Sequence, residues 1–242
     1  MRIIARIDIK APNVIKGIQM EGLRVIGDPD AVSARSYEDG ADEIIYLDTV
    51  ATLYNRNHTY DLLKKSSRNL FVPITVAGGV RSVADARKLL LSGADKVALN
   101  TAAIERPELI SELSQQFGSQ SIVASVEAKR GSKSGTWEAL SNNGREHTGS
   151  DVLDWVGELS ERGAGEILVT SVDADGTLSG PDYLLAERCA AICSRPLIYS
   201  GGIRDKSELS ELQNLGVDAV AIGAAFHFNR FSAKGISERT RG

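Results

Sequence analysis

Short apolar runs alternate with amphipathic stretches along the whole chain, and the period of the apolar positions changes between them. Eight runs predict strands: Ile3–Ile9, Glu43–Asp48, Ile74–Ala77, Lys96–Asn100, Ser121–Val126, Glu166–Val172, Leu197–Ser200 and Ala219–Gly223. Seven stretches between them predict helices: Asp30–Asp39, Thr59–Ser67, Ser82–Ser92, Pro107–Phe117, Asp151–Arg162, Pro181–Ser194 and Lys206–Leu215. Pro107 and Pro181 stand near helix starts, where a missing N–H costs little. Gly40, Gly93, Gly163 and Gly216 stand where helices stop. Eight strands with intervening helices favour an α/β architecture of the (β/α)8 or TIM-barrel type, with an open doubly wound sheet as the alternative. No G-x-G-x-x-G follows the first strand, which weakens a dinucleotide-binding reading. The longest stretches without a period, Lys10–Pro29 and Lys129–Gly149, follow the first and fifth strands and read as irregular loops on the catalytic face.

The pattern also repeats. Pro73–Ala103 aligns without gaps on Pro196–Phe226, with ten of 31 positions identical, among them Gly78/Gly201, Gly79/Gly202, Arg81/Arg204, Gly93/Gly216 and Asp95/Asp218. The same offset lays GADEIIYLD over GAGEILVTS. Each half would leave open sheet edges that only the other half can close. The chain therefore reads as one barrel domain over 1–242, built from half-barrel repeats of about 1–120 and 121–242. Such a structure suits a ligand with two similar ends.

Composition changes this picture little. A 42% hydrophobic share is ample for a core, and a net charge of −4 argues against a nucleic-acid binder. MRIIARIDIK reads as a strand rather than a signal peptide, and no apolar run approaches the length of a membrane span. Cys189 and Cys193 read as buried thiols on one helix. A cytoplasmic setting is the expectation.

Barrel enzymes work at the carboxyl ends of their strands. Asp8 ends the first strand and Glu127 the fifth, so the two carboxyl groups face each other across the mouth as a candidate acid and base. The plainer reading pairs each with a nearby cation, Lys10 or Lys129. Asp48, Asp173 and Asp175 also end strands, and some of these acids brace loops. The glycine pairs 78–79 and 201–202, with Asn100-Thr101 and Gly223-Ala224, predict two anion sites on opposite sides of the mouth. At the other end Arg2, Glu43, Lys96 and Glu166 stand at or before strand starts and would form a self-paired charged ring on the floor. His58, His147 and His227 lack metal-ligand spacing, so no metal is expected.

Together these residues resemble the cyclase-subunit family of imidazole glycerol phosphate synthase, HisF. The resemblance spans nearly the whole chain and is most specific in GADKVALNTAAIERPELI, FGSQSIVASVEAKR, GAGEILVTSVDADGT and the FHF at 226–228. It implies a lyase of histidine biosynthesis. Ammonia and a bis-phosphorylated ribulosyl-formimino aminoimidazole carboxamide ribotide would give imidazole glycerol phosphate and aminoimidazole carboxamide ribotide, without a cofactor. It implies a glutaminase partner, HisH-like, docked on the amino-terminal face and delivering ammonia through the core. By the resemblance, Asp8 and Glu127 are catalytic. Gly79, Asn100 and Thr101 hold one phosphate, and Asp175, Gly176, Gly202, Gly223 and Ala224 hold the other. Arg2, Glu43, Lys96 and Glu166 form the ammonia gate, Asp95 helps couple the subunits, and Lys16–Gly27 is a flexible loop.

The chain departs from the family pattern where Glu127 replaces an aspartate, Arg6 a cysteine, Ala77 a glycine and Val50 a threonine. These changes cluster at the substrate end. They keep open a second reading, an ammonia-conducting HisF-like subunit for amidation of a surface-polysaccharide sugar. An Amadori-type isomerase would need the same carboxyl pair and phosphate sites, but the gate residues disfavour it.

Overall fold

The computed structural model describes residues 1–49, 57–234 and 236. In chain order its strands are β1 (Arg2–Lys10), β2 (Asn13–Ile18), β3 (Glu21–Gly27), β4 (Glu43–Asp48), β5 (Ile74–Ala77), β6 (Lys96–Leu99), β7 (Ile122–Arg130), β8 (Trp137–Ser141), β9 (Glu146–Asp151), β10 (Glu166–Ser171), β11 (Leu197–Ser200) and β12 (Ala219–Ile222). The helices are α1 (Pro29–Glu38), α2 (Asn57–Asn69), α3 (Val83–Leu91), α4 (Thr101–Glu105), α5 (Glu108–Phe117), α6 (Val152–Glu161), α7 (Tyr183–Ile192), α8 (Ser207–Asn214) and α9 (Ala224–His227). Eight strands pair in parallel in the order β1, β4, β5, β6, β7, β10, β11 and β12, and β12 returns to β1. That closed parallel sheet with helices outside is the TIM barrel the sequence predicts.

Both faces of each barrel strand are buried, which is why the strands read as continuous apolar runs. Ile3, Ile7, Ile44, Val76, Val97 and Val220 belong to the large cluster between sheet and helices. Ile4, Ile45, Ala98, Val123, Leu168 and Ile198 form a smaller cluster that fills the interior. Alternation along β1 then puts Arg2, Arg6 and Asp8 on the same inward face as Ile4. The first strand thus carries its charge inside the barrel, above and below an apolar layer.

Strand register recurs at a fixed offset. Thr75 pairs with Lys96 and Ala77 with Ala98, and residues 123 positions further on pair likewise, Ile198 with Ala219 and Ser200 with Ala221. Ile44 with Ile74 and Ile167 with Leu197 repeat the relation. At the floor, Asp95 accepts a hydrogen bond from the Ile74 backbone N–H and Asp218 from that of Leu197, both at 2.8 Å. Asp42 does the same for Ile3. These aspartates fix where the neighbouring strand begins. Asp95, expected to couple to a partner, therefore also holds register within the barrel.

Two expectations are corrected. The stretches read as irregular loops are hairpins. After β1 the chain turns back antiparallel into β2 and then β3, and after β7 into β8 and then β9. Their outer strands are solvated: β3 and β9 are mostly exposed, so neither carries the clean apolar alternation that predicts a strand. The two cysteines do not share a helix, because α7 ends at Ile192 and Cys193 caps it. Both thiols are free, and burial pushes that of Cys189 up to about 12. Val50, one of the family departures, lies outside the described residues. Among the described residues no helix is long and apolar enough to cross a membrane.

Candidate active site

The mouth is organised around Asp8. Arg6, two residues earlier on the same inward face, donates from Nε to Asp8 Oδ1 at 2.8 Å. Lys16 reaches down from β2 and donates from Nζ to Asp8 Oδ2 at 2.8 Å. The same Nζ lies 3.0 Å from Asp175 Oδ2, and Arg6 Nη1 donates to Ser200 Oγ at 3.1 Å. All four charged side chains are buried. Charges taken out of water persist only when paired, and here two cations alternate with two carboxylates. Burial pushes the Asp8 carboxyl up, but Arg6 and Lys16 outweigh it and hold it well below the usual carboxylate range. Asp8 is therefore an anion at any physiological pH.

Glu127 is the opposite case. It too is buried, and its Oε2 accepts a hydrogen bond from the Gly144 backbone N–H at 2.7 Å. Burial pushes its carboxyl up to about 7, against that N–H and the more distant Arg6. Two carboxyl groups at one mouth thus have widely separated acidities, the pattern that divides base from acid. The nearby cations named in the sequence reading are engaged elsewhere or solvated: Lys129 pairs with Asp173 at 2.6 Å and Lys10 is exposed. Asp173 also accepts from the Arg130 N–H, so this acid does brace a loop.

The hairpins form the roof. Met20, at the β2–β3 turn, packs with Leu140 of β8 and Val172 beyond β10. The Gln19 N–H donates to Asp175 O at 2.7 Å. The backbone of Gly17 lies directly against Gly176, where a Cβ would run into the Gly17 carbonyl. On the other side the β8–β9 turn hooks onto the barrel. The Asn142 N–H donates to Thr101 Oγ1 at 2.9 Å, and Asn100 Nδ2 to Leu140 O at 3.1 Å.

The two predicted anion sites differ in state. Gly79, Asn100 and Thr101 line a cavity of about 580 Å³ that also reaches Glu127 and Arg145. Asp175, Gly176, Gly202, Gly223 and Ala224 line a space of only about 10 Å³. The β2–β3 hairpin stands against two of these glycines, with the Gly17 carbonyl on Gly176 and Lys16 beside Gly223. The first glycine of each pair serves packing as well: Gly201 has φ +108°, and a Cβ there would lie 2.6 Å from Ser171 O. Gly78 stands in the same relation to Asp48 O.

At the floor, Arg2, Glu43, Lys96 and Glu166 close into a ring. Arg2 pairs with both glutamates, and Lys96 Nζ lies 3.0 Å from Glu43 Oε2 and 2.6 Å from Glu166 Oε2. Each carboxylate bridges two cations, so the ring is neutral and self-paired. The interior apolar cluster lies between it and the mouth.

Sequence reasoning did not identify Lys16 as a partner of Asp8, nor Asn142, Asn143 and Arg145 of the β8–β9 turn as cavity walls. Arg6 entered only as a departure from a pattern, although its spacing of two from Asp8 on a strand places both on one face. His227 is buried, its Nε2 has no hydrogen-bond partner among the described residues, and burial pushes its imidazole down to about 4.

Fold and mouth define a TIM-barrel protein with two buried carboxyl groups of widely different acidity at its mouth. A family model described as "Histidine biosynthesis protein" matches residues 2–232. Curated relatives named "Imidazole glycerol phosphate synthase subunit HisF" are similar over nearly the whole chain. The one from Legionella pneumophila is 52% identical, covering 87% of this chain and 99% of its own. That of Dictyoglomus thermophilum is 44% identical over 96% and 91%, and that of Thermobifida fusca 40% over 100% and 96%. The chain belongs to the HisF family of imidazole glycerol phosphate synthase subunits, proteins of histidine biosynthesis.

Proposed function

We propose that the chain is the ammonia-dependent cyclase, a lyase that converts the bis-phosphorylated ribulosyl-formimino substrate into imidazole glycerol phosphate and aminoimidazole carboxamide ribotide. The observation that carries this reading is the pairing of an ionised Asp8 with a Glu127 carboxyl raised to about 7 at one mouth. Asp8 acts as base and withdraws protons as ammonia adds to the substrate carbonyl, the carbonyl oxygen leaves as water and the ring closes. Glu127 acts as acid and returns a proton to the leaving nitrogen as the C–N bond breaks. Gly79, Asn100 and Thr101 hold one phosphate; Asp175, Gly176, Gly202, Gly223 and Ala224 hold the other once the hairpin moves. The single domain is two half-barrels, each supplying one phosphate site. A ligand with both phosphates is expected to bind roughly 100-fold more tightly than either half, as two linked sites require. Calorimetric titration with the doubly and singly phosphorylated compounds checks this, and equal affinities would contradict it.

Ammonia is proposed to enter from a glutaminase docked on the floor face, pass the ring of Arg2, Glu43, Lys96 and Glu166, and cross the apolar interior. Asp95 lies on that face. No step needs a metal or organic cofactor, and the setting is cytoplasmic. Lys96→Ala leaves Glu43 and Glu166 bridged by Arg2 alone. Glutamine-dependent turnover should then fall roughly 10-fold further than ammonium-dependent turnover, since delivery and not chemistry is disturbed. Equal losses in the two assays would count against a gate.

A further inference from the structure

Arg6 has no role among the residues assigned so far, yet its guanidinium meets Asp8, Asp175 and Ser200 at the mouth. It sits on β1, four residues above Arg2, where the inward apolar layer ends. Its Nε holds Asp8 at 2.8 Å, while Nη1 donates to Ser200 Oγ at 3.1 Å and faces Asp175 Oδ1 at 3.5 Å. Only a planar fork can serve one carboxylate along one edge and a second group along another. Lys16, the other cation on Asp8, is carried by the β2–β3 hairpin. Lys16 also stands beside Gly223, so movement of the hairpin to admit a phosphate there withdraws Lys16, whereas Arg6 stays with the barrel strand.

We infer that Arg6 is a positioning residue: its guanidinium, clamped between Asp8, Asp175 and Ser200, aims the Asp8 carboxylate at the reaction centre and keeps it an anion when Lys16 is withdrawn. The inference rests on Asp8 acting as the base of the proposed reaction. The groups that face Asp8 are Arg6 on β1, Lys16 on β2, Asp175 after β10, Glu127 across the mouth on β7 and His227 on α9. Of these only Arg6 and Lys16 favour the ionised form, and His227, with its imidazole pushed down to about 4, is neutral. Removing Arg6 therefore raises the Asp8 carboxyl, and also Glu127, which Arg6 holds down. The base is then lost as pH falls, and the acid is retained to higher pH. The whole activity profile moves upward.

The test compares wild type, Arg6→Met and Arg6→Lys by kcat/KM for ammonium-dependent turnover, referred to free ammonia, from about pH 5 to about pH 9. The Asp8 carboxyl carbon is titrated in parallel by NMR. Wild type should show no acid limb from Asp8. Arg6→Met should lose roughly 100-fold near neutrality and recover part of it as pH rises, the size expected when a base is displaced and protonated. Its Asp8 carboxyl should titrate within the range. Arg6→Lys should keep the profile near its wild-type position but remain roughly 10-fold slower, since charge is kept and the fork is not. A uniform loss with an unmoved profile and an unchanged Asp8 titration would reduce Arg6 to packing and overturn the inference. If Arg6→Met does not fold, the lysine variant decides, because wild-type rates there would show that the fork is dispensable. Absence of turnover in the wild type would sink the cyclase reading itself, while the Asp8 titration would still decide whether Arg6 governs that carboxylate.

Discussion

Asp8→Asn should abolish ammonium-dependent turnover, lowering kcat by roughly 1,000-fold or more, the loss typical when a reaction loses its proton acceptor. Asparagine has the same size and keeps one acceptor for Arg6 or Lys16, so the fold is expected to survive. It can neither carry charge nor take a proton. The substitution leaves Arg6 and Lys16 sharing Asp175, and a broken buried pair costs about 3–5 kcal/mol. That cost lowers the melting temperature without unfolding a barrel whose core is layered inside and outside the sheet. Steady-state kinetics beside a thermal melt separates the two effects. Near-wild-type turnover in a folded variant would remove Asp8 from the chemistry.

Glu127→Gln carries the second large effect, a loss of roughly 100-fold or more, because the amide cannot donate and recover a proton. The direction of the pH dependence distinguishes this role from simple packing. Glu127 is an acid only while protonated, and its carboxyl lies at about 7. Wild-type kcat/KM, referred to free ammonia, should therefore decline as pH rises past about 7 in the free enzyme. The residual rate of the glutamine variant should lack that decline. A variant that is slow but keeps the same alkaline limb would assign the limb to another group. The hairpin matters here as well, since the Gly144 N–H is the hydrogen bond that positions Oε2.

The barrel was legible because its strands are short apolar runs buried on both faces and separated by stops at Gly40, Gly93, Gly163 and Gly216. The floor ring was legible too, since strand starts and alternation place Arg2, Glu43, Lys96 and Glu166 together. What the sequence hid depends on chain reversal. Nothing local in Glu21–Gly27 says that this exposed ribbon pairs back on Asn13–Ile18, so the delivery of Lys16 onto Asp8 could not be foreseen. Gly144 likewise reaches Glu127 only through the turn joining β8 and β9. Symmetry misled in one respect: the two equivalent sequence motifs border one large cavity and one space of about 10 Å³, with Gly17 of the β2–β3 hairpin against Gly176 on one side and the β8–β9 turn walling the larger cavity on the other. Arg6 is the intermediate case. Its facing was readable from spacing alone, but its contact with Asp175 and Ser200 required the closed barrel.

The most direct measurement is turnover of the bis-phosphorylated ribulosyl-formimino substrate by the purified chain with excess ammonium at alkaline pH, without any glutaminase. Product formation that rises with free ammonia, and yields imidazole glycerol phosphate and aminoimidazole carboxamide ribotide in equal amounts, is the expected result. It would also show that glutamate serves where the family carries aspartate. Tight binding of that substrate with no ammonia-dependent product would contradict the cyclase account and leave the barrel as an ammonia-conducting subunit for another acceptor.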